Sequence, residues 1–64
     1  MTKAERENWI VNIQNSASVI TSQLGSAVVE SVLARYGVKY EEQLSSSDLP
    51  EVFSELFSIE ADLS

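Results

Sequence analysis

A chain of 64 residues is one domain at most, and domains of that size bury only about 60% of their unfolded surface. With neither cysteine nor histidine it has no disulfides, no thiolate metal site and none of the imidazole ligands that zinc, copper and haem ordinarily take. The net charge of −6 is divided unevenly: residues 1–40 set four bases (Lys3, Arg6, Arg35, Lys39) against three acids (Glu5, Glu7, Glu30), giving +1, and residues 41–64 carry seven acids and no base, giving −7.

The first helix is expected at Lys3. Thr2-Lys3-Ala4-Glu5 has the form of a capping box, in which the Thr2 hydroxyl accepts from the residue-5 amide and the Glu5 carboxylate reaches back. Trp9, Ile13, Ile20 and Leu24, with Ile10 and Ala17 beside them, recur at helical spacing and form one stripe. Val11 and Val19 point away from it. Asn15 to Ser18 are poor to middling helix formers apart from Ala17, yet the phase carries through, so a single helix is expected over about 3–23. Gly25 then interrupts, as a kink in a nearly continuous helix, a tight turn or a close-packing contact.

A second helix is expected over about 26–36. Ser26 is placed to cap it, and Val28, Val29, Val32, Leu33 and Tyr36 supply its buried face. Gly37 followed by Val38 has the pattern of a left-handed C-cap with its hydrophobic contact. Residues 38–47 read as a connection pinned to the core by Val38, Tyr40 and Leu44, with one short turn over Glu41 to Leu44. Asp48-Leu49-Pro50-Glu51 signals the third helix, over about 49–63: Asp48 caps, Pro50 sits in a first turn that has no amide partner to lose, and Glu51 faces the positive end of the dipole. Leu49, Val52, Phe53, Leu56, Phe57, Ile59 and Leu63 form its apolar face. Residues 1–64 are therefore expected to be a single all-α domain of three helices, without repeats or strands.

On function, the missing imidazole and thiol remove the usual neutral-pH acid–base group and the strongest side-chain nucleophile, so no enzyme is expected. There is no glycine-rich phosphate loop, since Gly25 and Gly37 are the only glycines. No cofactor and no catalytic or metal-binding residue is expected. Duplex nucleic acid requires several Lys or Arg contacts, so direct binding to it is not expected either. No apolar run approaches the ~20 residues of a membrane span and no secretory signal is visible, which points to a cytoplasmic protein.

What remains is a surface. Asp48, Glu51, Glu55, Ser58 and Asp62 fall within about 80° of one another on a helical wheel and make a polar stripe that suits a basic protein partner. Glu60 falls near the centre of the apolar stripe. It lies either at a frayed rim or in a pair with Arg35 or Arg6, within one chain or between two. Trp9 is a core aromatic or an interface anchor. The small size and the two outward valines favour a homodimer.

The stretches Val32-Leu33-Ala34-Arg35-Tyr36-Gly37 and Asp48-Leu49-Pro50-Glu51-Val52-Phe53-Ser54-Glu55-Leu56 resemble those of small helical proteins, mostly of unknown role, encoded on phages and conjugative elements of Gram-positive bacteria. The resemblance covers about the last half of the chain and carries no catalytic motif. It implies an alternative to the interaction module: an inhibitor of a nucleic-acid-binding host defence, such as a CRISPR nuclease, acting by nucleic-acid mimicry.

Overall fold

The computed structural model describes residues 1–63, which form three α-helices and no strand. The helices are α1 (Lys3–Leu24), α2 (Ala27–Arg35) and α3 (Leu49–Asp62), with a 3-10 turn at Glu41–Gln43 between the last two. The expected all-α architecture and all three helices are present. At 1.5 Å per residue α1 is about 33 Å long, which matches the 32 Å long axis of the molecule. It is the beam on which the other elements lie.

α1 starts where the capping box placed it. The Glu5 amide donates to the Thr2 hydroxyl at 3.1 Å and the Thr2 amide donates to Glu5 Oε1 at 3.3 Å. Those two bonds stabilise the charged carboxylate and hold Glu5 below its ordinary pKa, so the box contributes most when Glu5 is ionised and weakens as pH falls through the lowered value. Ser26 and Asp48 do not act as side-chain caps. A capping residue needs extended backbone, as Thr2 has at φ −76°, ψ 164°; Ser26 and Asp48 are already helical, with ψ −19° in both.

Gly25 ends α1 outright and does not kink it. Its φ of +87° lies outside the helical region, and its amide closes the last turn on the Thr21 carbonyl at 2.9 Å. α2 then doubles back along the second half of α1. It stops at Gly37 (φ +75°) in a Schellman arrangement: the Val38 amide reaches the Leu33 carbonyl and the Gly37 amide the Ala34 carbonyl.

The connection returns to the start of α1, and Leu44, fully buried, plugs the core there. Arg6 ties it down, donating to the carbonyls of Leu44 (2.7 Å) and Glu42 (3.0 Å) and to the Ser46 hydroxyl. Gln14 reaches the Glu42 carboxylate at 2.8 Å. α3 consequently begins abreast of the α1 N-terminus and runs parallel to it, with Trp9 against Phe53 and Ser16 against Glu60.

The core is Ile13, Ala17 and Ile20 of α1, Val29, Val32 and Leu33 of α2, Leu44, and Leu49, Val52 and Leu56 of α3. Each buried Leu or Ile adds roughly 1.5–3 kcal/mol to the folded state. Three residues assigned to buried faces are exposed instead: Leu24, Tyr40 and Phe57. Leu24 is the last residue of its helix, next to the Gly25 turn. Tyr40 turns outward while its amide is held by Gln43 Oε1 at 3.0 Å. Phe57 follows Leu56 and therefore points about 100° away from it.

Candidate protein-interaction surface

α3 presents two different edges to solvent because its buried line, Leu49, Val52 and Leu56, lies between them. One edge carries Asp48, Glu51, Glu55 and Asp62 and adjoins α2. The other carries Phe53, Phe57 and Glu60 and adjoins α1.

On the carboxylate edge the acids are not equivalent. Glu55 is engaged within the fold: Oε1 pairs with the Arg35 guanidinium at 2.8 Å and Oε2 accepts the Tyr36 hydroxyl at 2.9 Å. That hydroxyl bond to a carboxylate raises the Tyr36 phenol above its ordinary pKa. The pair is solvent-accessible, with the Arg35 side chain 61% exposed, so it locks α2 to α3 by geometry more than by energy. Glu51 and Asp62 are exposed and Asp48 is half-buried. The expected polar stripe is thus interrupted in its middle, where a cation from the preceding helix neutralises it.

On the other edge, Glu60 takes a serine and neither arginine. Its Oε1 accepts from the Ser16 hydroxyl at 2.7 Å, and Ser16 is the one buried polar residue among those described. A buried hydroxyl without a partner would be costly, and a half-buried carboxylate at the rim satisfies it. Arg35 is held by Glu55 and Arg6 by the connection, so neither pairing forms within the chain, and Glu60 lies at the rim.

Trp9 is half-buried and stacks edge-on to Phe53, with ring centroids 5.7 Å apart; Phe53 in turn lies 5.8 Å from Phe57. This aromatic row leads to a shallow depression of about 330 Å³ lined by Val19, Gln23, Phe57, Glu60, Ala61 and Leu63. In the sequence Val19 reads as an outward valine suited to a homodimer contact, whereas Phe57 reads as part of the apolar face of its helix. Their signal was present: Phe57 sits off the line of Leu49, Val52 and Leu56, and Val19 off that of Ile13 and Ile20, on the flanks that two parallel helices bring together.

Among the described residues no three acids converge as metal ligands would, and no helix is long and apolar enough to cross a membrane. No family model, no curated protein and no solved structure matches the chain.

Proposed function

We propose that this chain is a non-catalytic protein–protein interaction module that docks on a basic protein surface. The observation that carries this reading is the state of the acids on α3. Glu51 and Asp62 stay exposed with no cation set against them, while the available base, Arg35, is used internally on Glu55. Like charges along one helix are mildly unfavourable within the chain, and an opposing Lys or Arg surface relieves them.

A different protein is favoured over a second copy, since each copy brings a net charge of −6. The mimicry alternative has less support. A phosphate-like row needs regularly spaced free charges, and the Arg35–Glu55 pair leaves a gap between Glu51 and Asp62 of eleven positions, or about 16 Å.

The test is binding of a partner purified from the native host, with wild type compared with Glu51→Lys/Asp62→Lys. The expected result is at least roughly tenfold weaker binding by the variant, and wild-type affinity that falls steeply with salt. Equal affinity of the two proteins would count against the reading. Competition by DNA or RNA for the same partner would transfer support to the inhibitor.

A further inference from the structure

We infer that the face between α1 and α3 is a groove for an amphipathic basic helix of the partner, its apolar side laid on Trp9, Phe53, Phe57 and Val19 and a lysine or arginine set on Glu60. This deepens the proposed interaction module and rests on it.

The apolar part of the argument is continuity. One exposed phenylalanine needs no explanation on a protein surface. Here the aromatic rings form a row, and exposure rises along it, from half-buried Trp9 and Phe53 to Phe57 at 56%. Val19, itself 37% exposed, and half-buried Leu63 extend the row around one depression. From Trp9 to Gln23 the groove follows α1 for 14 residues, about 21 Å, which is the length of four helical turns. A helix laid in such a groove presents anchors at i, i+3 or i+4, and i+7.

The choice of occupant comes from charge. α1 and α3 run parallel, so their C-terminal ends, both negative ends of helix dipoles, fall at the same end of the groove. Neither last turn contains a base. Glu60 adds a carboxylate there. No Lys or Arg lines the two depressions along the face, at Glu5, Asn8, Trp9 and Asn12 and around Phe57. Glu60 is also pre-oriented: Ser16 fixes Oε1 and leaves Oε2 to accept from an incoming cation. A second copy would set acids against acids on this face, whereas a basic helix matches both the apolar row and the negative end.

The probe is a synthetic amphipathic helix of about 14–18 leucines and lysines, leucines spaced i, i+3, i+4, i+7, beside a scrambled peptide of the same composition. Trp9, the only tryptophan, reports binding directly through its fluorescence. The expected result is a blue shift of Trp9 and a gain of helix with the amphipathic peptide only. Phe57→Ser and Val19→Ser, both at exposed positions that spare the core, should each weaken binding roughly tenfold. Glu60→Gln should weaken it several-fold and flatten its salt dependence. Glu51→Lys, on the opposite edge of α3, should leave it unchanged, so failure of the groove is distinguishable from failure of the carboxylate edge. Equal binding of the scrambled peptide would overturn the inference. So would wild-type affinity in both Phe57→Ser and Val19→Ser, or self-association of the protein abolished by Phe57→Ser.

Discussion

Arg6 holds together parts of the chain that are far apart in sequence. Its guanidinium is a planar fork, and it meets two backbone carbonyls and a hydroxyl across 36 to 40 residues. Without it the carbonyl of Leu44, beside the core plug, loses its charged donor. Arg6→Ala is therefore expected to destabilise the fold by about 1–2 kcal/mol, with Arg6→Lys restoring less than half because an ammonium cannot span the acceptors. Hydrogen exchange locates the effect: amides of residues 43–49 should exchange faster, while those of α1 beyond Ile13 hold. A uniform change would mean that Arg6 acts on global stability alone. Nothing in the local sequence marks this role, since the acceptors are backbone groups and carry no sequence signature. Glu60 teaches the same lesson. Its place near the apolar stripe was legible, but its partner, a serine on another helix, was not.

At the scale of elements, the two glycines do different work. Gly37 adopts the left-handed conformation of a Schellman stop, which asparagine also tolerates. Gly25, at φ +87° and ψ 170°, occupies a region that is essentially glycine-only. An added Cβ would meet no heavy atom within 4 Å at either position, so the backbone alone decides the penalty. Gly25→Ala is expected to cost about 2 kcal/mol and Gly37→Ala about 1 kcal/mol. Gly37→Asn should recover part of the loss in thermal denaturation, and Gly25→Asn none. Equal penalties at the two sites would show that the Gly25 turn relaxes. The Gly37 stop could be read in advance because a glycine followed by an apolar residue after a helical stripe has one common meaning. Gly25 could not, because a glycine between two stripes of matching phase fits a kink, a turn or a contact equally well until packing selects one.

At the scale of the whole molecule the margin is small. A 64-residue domain has a folding free energy of roughly 3–10 kcal/mol. Leu56 is fully buried among the helices, and Leu56→Ala should remove about 3 kcal/mol through lost transfer energy and the cavity left behind. For so short a chain that lowers Tm by roughly 12–24 °C. Phe57→Ala, one residue on but exposed, should shift it far less. Similar shifts for the two would place Phe57 in the core and remove the groove. A chain with so little stability in reserve has few apolar side chains to spare, which makes the exposed row ending at Phe57 the more informative.

Periodicity, the capping box and the glycine stop were sufficient to define three helices and most of their buried faces, because each is a local property of the backbone and its neighbouring side chains. The charge division was also complete in the sequence, since a sum of formal charges needs no coordinates. Helix direction was not. That α1 and α3 run parallel depends on where the 38–47 connection lands, and Leu44 and Arg6 decide that through contacts distant in sequence. The parallel arrangement brings Trp9, Phe53, Phe57 and Val19 onto one face, and Arg35 and Tyr36 at the end of α2 withdraw Glu55 from the acidic stripe, so both edges of the candidate surface are products of tertiary packing.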